Sequence, residues 1–249
     1  MYLLVRDDRE YLREPGEELQ TDLGVLTVPE DVEPGDEIET HLGTAFRVRE
    51  LRGPDLFDHL DRTGAPMMPR DVGLLVGHTG AAAGDRVLDA GTGTGILAAY
   101  LGRLGADVTS YERDPEFAAQ AEENVRIAGV EDEVDVRTGD LTDEIDGLVA
   151  RIEDGEVAPF DLLTLDTEDA PAIARRAPAV LTPGGFLAVY SPFVESTREV
   201  VAAAREAELS GVETFETIQR RMRFDDRGSR PDTAGVGHTG YLTFARRRF

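Results

Sequence analysis

The segment Val87-Leu88-Asp89-Ala90-Gly91-Thr92-Gly93-Thr94-Gly95 constrains this chain more than any other feature. An apolar run that breaks into alternate glycines and resumes with helical spacing predicts a strand, a tight turn and a helix start. Glycines let the turn backbone approach a ligand closely and leave the first helical N–H groups free to face it. The remaining chain keeps the rhythm that such a unit implies. Helical spacing over 71–80 precedes the strand at 86–90, and a helix over 94–103 follows it. Strands at 107–112, 133–137, 160–166 and 185–190 then alternate with helices at 115–128, 142–152, 169–180 and 196–207. Such alternation builds right-handed βαβ units and a parallel sheet covered on both faces. After Gly211 two strand-like stretches, 212–223 and 237–247, flank an Arg/Gly/Asp-rich loop at 225–234, most simply an antiparallel hairpin at the sheet edge. Before Gly64, short alternating stretches broken by Pro34-Gly35-Asp36 predict four or five further strands. The expected fold is α/β, a Rossmann-like and mostly parallel sheet with an antiparallel C-terminal hairpin over residues 65–249. A small β-rich N-terminal domain over residues 1–64 precedes it.

Glycine spacing decides the ligand. A dinucleotide fingerprint reads G-x-G-x-x-G, whereas here the third glycine is Gly95 and Ile96 stands where that motif needs glycine. Asp89, just before the turn, suits an amino group better than a phosphate, which favours S-adenosylmethionine over NAD. Glu112 ends the next strand, where a carboxylate can accept two hydrogen bonds from ribose hydroxyls. Asp140, in Arg137-Thr138-Gly139-Asp140, follows the third strand at the same edge and is placed to bond an adenine amino group, with Leu141 beside it. Thr92 and Thr94 lie within the loop. Each acid alone could be a solvated loop residue, but three in register with successive strand ends converge on one crevice. Asp166 ends the fourth strand beside the point where strand order reverses, where open α/β sheets place reacting groups. It is the catalytic candidate, since Thr167 or Asp169 could cap the following helix equally well.

Composition narrows the class further. There are 26 basic against 50 acidic side chains, a formal charge of −24, and every basic residue is arginine. Carboxylates spread through the helices suit a cytoplasm at molar salt, where the Debye length falls to about 3 Å, so the sequence reads as halophilic. The absence of cysteine excludes disulfides, thiolate metal sites and a cysteine nucleophile. The four histidines show no ligand spacing, and no metal is expected. No serine sits in G-x-S-x-G. Neither a leader nor an apolar run long enough to span a membrane is expected, and the reading is cytoplasmic. Residues 1–64 carry a net −10, whereas residues 218–249 hold eight arginines and three acids. Arg220, Arg221, Arg223, Arg227 and Arg230, together with Arg246, Arg247 and Arg248, are expected to form one basic patch suited to phosphates, unless they pair with the protein's own carboxylates. His238, next to a strand start, reads more simply as a structural hydrogen-bonding corner than as a base.

These residues resemble the archaeal form of the TrmI-type AdoMet-dependent tRNA (adenine-N1)-methyltransferases. Pro69-Arg70-Asp71 resembles the family's Y-P-K-D segment, with Met68 in place of the tyrosine. Asp89–Gly95 resembles its AdoMet loop, and Tyr111-Glu112-Arg113 its ribose-binding strand end. Arg230-Pro231 followed by Gly237-His238-Thr239-Gly240-Tyr241-Leu242 resembles its R-P…G-H-T-G-F-L ending. Where the family has D-L-P-x-P-W, this chain reads Asp166-Thr167-Glu168-Asp169-Ala170-Pro171. The resemblance implies a class I methyltransferase fold with a seven-stranded sheet, S-adenosylmethionine as cofactor, and tRNA as substrate. It implies methylation of a T-loop adenine at position 58, in archaeal members also 57, by a homotetramer. Met68, Arg221, Arg230 and His238 are the substrate-contact candidates. Two other readings stay open at this point: a methyltransferase acting on a protein or small molecule, and a silent RNA-binding partner subunit.

Overall fold

A computed structural model describes the whole chain except residues 63–65, 234–236 and 238–239. The N-terminal region holds six short strands rather than four or five: β1 (Tyr2–Arg6), β2 (Arg9–Arg13), β3 (Glu18–Thr21), β4 (Gly24–Thr27), β5 (Glu37–Glu39) and β6 (Ala45–Arg49). They form an antiparallel sheet in the order β2-β1-β6-β5 and a separate β3-β4 hairpin. Alternation along β1 divides its side chains between two interiors. Leu4 packs with Leu19, Phe46 and Val48 in a core of the module's own, whereas Leu3 joins the main core with Leu51 and Leu56.

Two helices, α1 (Gly53–His59) and α2 (Pro69–Thr79), lead into the α/β unit. Its elements are β7 (Arg86–Ala90), α3 (Ile96–Arg103), β8 (Asp107–Glu112), α4 (Pro115–Ala128), β9 (Val134–Thr138), α5 (Leu141–Glu153), β10 (Phe160–Leu165), α6 (Ala170–Val180), β11 (Leu181–Ser191) and α7 (Val194–Glu206). Four more strands complete the chain: β12 (Ser210–Glu216), β13 (Met222–Asp225), β14 (Gly228–Pro231) and β15 (Tyr241–Arg246). The large sheet has seven strands in the order β12-β15-β11-β10-β7-β8-β9. Strands β7 to β11 pair in parallel, and β15 runs antiparallel to both β11 and β12. The order reverses at β7, so β7 and β10 flank the switch point.

Burial on both faces explains why these strands read as continuous apolar runs. On β7, Val87 faces a core shared with Leu75 of α2, Leu101 of α3 and Val125 of α4, whereas Leu88 faces one shared with Val149 of α5, Ile173 of α6 and Val200 of α7. Helix starts match local chemistry. Asp114 caps α4 by accepting from the N–H groups of Glu116 and Phe117, and Gly129 closes that helix in the left-handed region.

β12 and β15 pair antiparallel at the edge of the sheet, as expected, with β15 between β11 and β12 and β12 at the rim. The intervening loop carries its own hairpin, β13-β14. Register also separates the arginines expected to form one patch. The β13-β14 hairpin leaves the sheet where Glu216, Tyr241 and Ser191 align, at the carboxyl edge, whereas Arg246 aligns with Phe186, five residues back along β11. An antiparallel strand of this length carries Arg246, Arg247 and Arg248 roughly 17 Å away from Tyr241, so the single patch does not form.

Candidate active site

The carboxyl ends of β7, β8, β9 and β10 frame a cleft of about 450 Å³. Of the residues expected to bind a cofactor, Asp89, Gly91, Thr92, Gly93, Thr94, Glu112, Arg113, Asp140 and Leu141 all line it, as does Asp166. Gly95 does not.

The three glycines do three different jobs. Gly91 has φ +84°, and a Cβ there would lie 2.1 Å from the Asp166 carbonyl oxygen, so this glycine lets the loop pass against the end of β10. Gly95, in the left-handed region at the start of α3, packs against Ala121 of α4. Only Gly93 faces open space. Its N–H donates to Glu112 Oε2 at 2.8 Å, which fixes the turn over the cleft. Asn124, fully buried on α4, holds the next residue: its Nδ2 donates to the carbonyls of Thr94 and Asp61, each at 2.7 Å.

The four acids differ in how they are held. Glu112 is buried, and its Oε1 accepts from the Asp114 N–H at 3.0 Å while Oε2 takes the Gly93 bond. Asp140 caps α5, accepting the Thr142 N–H at 2.8 Å and the Thr142 hydroxyl at 2.7 Å on the same oxygen; these bonds hold its carboxyl below the usual range. Asp89 is buried and accepts the hydroxyls of Ser110, at 2.5 Å, and Thr164. Burial pushes its carboxyl up, and the two hydroxyls oppose that. Asp166 is half-buried, and its carboxylate makes no hydrogen bond to another described residue. Burial, reinforced by the Asp89 and Glu112 carboxylates, pushes it up to about 7. It does not cap α6: the residue at that position is Asp169, whose N–H donates to Thr167 Oγ1 at 3.3 Å. Arg113 turns toward the loop after β10, donating to Glu168 at 2.8 Å.

The expected substrate residues are dispersed. Met68 stands at the start of α2, and the cleft wall is formed instead by Pro66 and Met67. Arg230 pairs with Asp225 through bonds of 2.8 and 2.6 Å on the exposed hairpin, and Arg221 lies just before that hairpin; neither lines the cleft. His238 lies outside the described residues. Its neighbour Gly237 accepts a 3.4 Å bond from Arg70 on α2, and a Cβ on Gly240 would come within 2.5 Å of the Tyr190 ring. Arg70 and Gly237 therefore meet at this edge.

Sequence reasoning missed Phe117, Ser110 and Thr164, and named Tyr111 only within the strand end that resembles the ribose-binding segment. Phe117 and Tyr111 line the cleft beside Glu112. A polar residue two positions before each strand-end acid was a legible signal for Ser110 and Thr164. Elsewhere, Glu10, Asp55 and His59 lie close enough to hold a cation, but Arg49 already bridges both carboxylates at 2.9 Å each.

The residues present fit S-adenosylmethionine. Six carboxylates, those of Asp89, Glu112, Asp114, Asp140, Asp166 and Glu168, line the cleft, a set that repels a diphosphate and suits a ligand bearing a sulfonium and an amino group. Gly93 leaves an opening that a Cβ would fill, and the buried hydroxyl of Thr94 has no hydrogen-bond partner among the described residues. Residues 87–185 match the family model described as a methyltransferase domain. A TrmI tRNA (adenine(57)-N(1)/adenine(58)-N(1))-methyltransferase of Methanocaldococcus jannaschii is 30% identical over 264 residues, 97% of this chain and 92% of the relative. A TrmI tRNA (adenine(58)-N(1))-methyltransferase of Thermus thermophilus is 32% identical over 76% of this chain and 72% of its own length. Among solved structures, a SAM-dependent O-methyltransferase of Thermotoga maritima superposes with a TM-score of 0.79 at 25% identity, over 100% of this chain and 92% of its own. TrmI of Aquifex aeolicus, at 20% identity, shares the fold with a TM-score of 0.73 over 100% and 96% of the two chains. With an acid-lined methyltransferase cleft and a relative aligned over nearly its full length, this chain belongs to the TrmI family of S-adenosylmethionine-dependent tRNA (adenine-N1)-methyltransferases.

Proposed function

We propose that this chain methylates N1 of a T-loop adenine in tRNA, at position 58 and, as the name of the Methanocaldococcus relative states for that protein, also at 57. The observation that carries this reading is Asp166: a carboxylate at the mouth of an acid-lined cleft, with no internal hydrogen-bond partner among the described residues. S-adenosylmethionine supplies an electrophilic methyl group when bound. Glu112 and Asp140 would hold its ribose and adenine, Asp89 and the loop from Gly91 to Gly95 its amino-acid end, and Arg113 and Leu141 the cleft walls. Reaching N1 requires the adenine to leave its stack, at a cost of a few kcal/mol. Asp166 would accept a hydrogen bond from the 6-amino group, orient N1 and stabilise the positive charge that grows on the ring.

The exposed arginines Arg220, Arg221 and Arg227 would meet tRNA phosphates near the carboxyl edge. Arg230, His238 and Met68 remain proposed substrate contacts. We divide the chain into a β-rich module over 1–64 and a catalytic domain over 65–249. An exposed apolar set, Phe193, Val194, Ile218, Met222 and Phe224, supports a homo-oligomer, read as the family's homotetramer. No helix among the described residues is long and apolar enough to cross a membrane, which agrees with a cytoplasmic enzyme. The charge of −24 supports a halophilic one. Its stability should then collapse as KCl falls from molar to about 0.1 M, followed by circular dichroism; full stability at low salt removes that reading.

Incubation with labelled S-adenosylmethionine and unmodified tRNA transcript in molar KCl, followed by nucleoside analysis, should yield 1-methyladenosine. Cofactor binding without tRNA methylation would move the assignment to another acceptor. Failure to bind the cofactor would leave a silent partner subunit.

A further inference from the structure

The cleft is the top of a stack of three rows that cross the central strands in register. Leu162, Val87 and Val108 align on β10, β7 and β8, and all three face the same core. Two residues further along, Thr164, Asp89 and Ser110 align in the same way. Two more residues reach Asp166, Gly91 and Glu112 at the mouth. Because side chains alternate with a period of two, the apolar row, the polar row and the mouth share one face of the sheet.

The polar row is fully enclosed: Ser110 and Thr164 are at most 1% exposed. Ser110 donates to one Asp89 oxygen at 2.5 Å, Thr164 donates to the other, and the Thr92 hydroxyl from the glycine loop lies 2.5 Å from the Ser110 hydroxyl. A buried carboxylate with both oxygens bonded is fixed in orientation, and a loop tied to the same chain moves with it.

We propose that Ser110 and Thr164 are positioning residues for the methyl transfer: paired across β7, they lock both oxygens of Asp89 beneath the glycine loop and so set the electrostatic floor on which Asp166 works. This rests on the reading of Asp166 as the carboxylate that meets the acceptor base. The charged groups around Asp166 are Asp89 on β7, Glu112 and Arg113 at the end of β8, Asp114 at the start of α4, Asp140 after β9 and Glu168 in its own loop. Hydroxyl donors favour the ionised form of Asp89. Without one of them Asp89 takes up a proton more readily, and Asp166 loses an anionic neighbour. Asp166 should then ionise at lower pH.

Carbon-13 NMR titration of aspartate carboxyl groups in the cofactor-free protein tests this, with Asp166→Asn assigning the signal. Thr164→Val and Ser110→Ala should each lower the Asp166 midpoint by roughly half a pH unit or more, and the ascending limb of the pH–rate profile should move with it. Thr164→Ser and Ser110→Thr should restore both. An unchanged midpoint in folded Thr164→Val or Ser110→Ala overturns the proposal, and Ser110→Ala decides alone if Thr164→Val does not fold. The two readings separate cleanly. Midpoints that move while Asp166→Asn still methylates tRNA sink the role of Asp166 and leave the row standing, whereas fixed midpoints with an inactive Asp166→Asn do the reverse.

Discussion

The cleft and the β13-β14 hairpin leave the sheet at the same edge, yet they treat charge in opposite ways. In the cleft the strand-end acids are held by neighbouring backbone: Glu112 by the Gly93 and Asp114 N–H groups, and Asp140 by its own helix start. On the hairpin, Arg230 and Arg223 pair locally with Asp225 and Asp232 in solvent, and Arg220, Arg221 and Arg227 form no ion pair among the described residues. Exposed pairs contribute about 0–1 kcal/mol, so the hairpin is spared for contacts outside the chain. A charge that the sheet positions can do chemistry, and a charge left in water can only attract.

If that contrast is right, the largest effects come from the cleft backbone. Gly91→Ala forces a Cβ onto the Asp166 carbonyl and a left-handed φ onto a non-glycine residue. We expect a loss of at least about 2 kcal/mol of stability, read by thermal unfolding, together with loss of activity. Gly93→Ala also takes on a left-handed φ, of +55°, but meets open space, so it should lose only about 1 kcal/mol and lose cofactor affinity as well. Equal unfolding temperatures for the two would erase the distinction between them.

Next is Asp166→Asn, which keeps the shape and removes the charge. Turnover should fall by a factor on the order of 10²–10³, with S-adenosylhomocysteine binding by calorimetry little changed. Because Asp166 ionises only near 7, wild-type turnover should rise about tenfold per pH unit below that value and level off above it. Stability runs the other way. The unfolded chain releases this proton in the ordinary carboxylate range, so the Asp166 contribution weakens as pH rises from there through about 7. Asp166→Asn should gain relative stability across that window, which denaturant titrations at several pH values would detect.

The smallest effects should come from the arginines, and they sharpen the comparison most. Replacing Arg220, Arg221 and Arg227 together by alanine should raise KM for tRNA several-fold and reduce its salt dependence, leaving the unfolding temperature unchanged. Arg246→Ala should do the opposite. Its Nε donates to the Gly184 carbonyl at 2.6 Å and its guanidinium lies over Phe186, so stability should drop by about 1 kcal/mol with KM intact. A raised KM in Arg246→Ala would restore the single patch that register denies.

Most of the α/β unit is legible in the chain because local chemistry and tertiary demand agree there. Asp114, Pro115 and Gly129 bound α4 where the spacing predicts it, and β7 and β8 begin and end at the expected residues. Agreement fails where pairing is non-local. β11 starts at Leu181 rather than 185 because its partner β10 extends the ladder to that residue, and nothing in the sequence alone places β15 inside the sheet.

The sequence by itself determined that acids fall at the ends of three successive parallel strands and that a glycine turn precedes them, because strand period and turn chemistry are local properties. Only the tertiary structure decided which glycine faces the ligand, which hydroxyls hold Asp89, that Pro66 and Met67 rather than Met68 form the wall, and that the arginines divide between two ends of β15. Those depend on register between strands distant in sequence, and a shift of one residue there would turn every side chain to the other face.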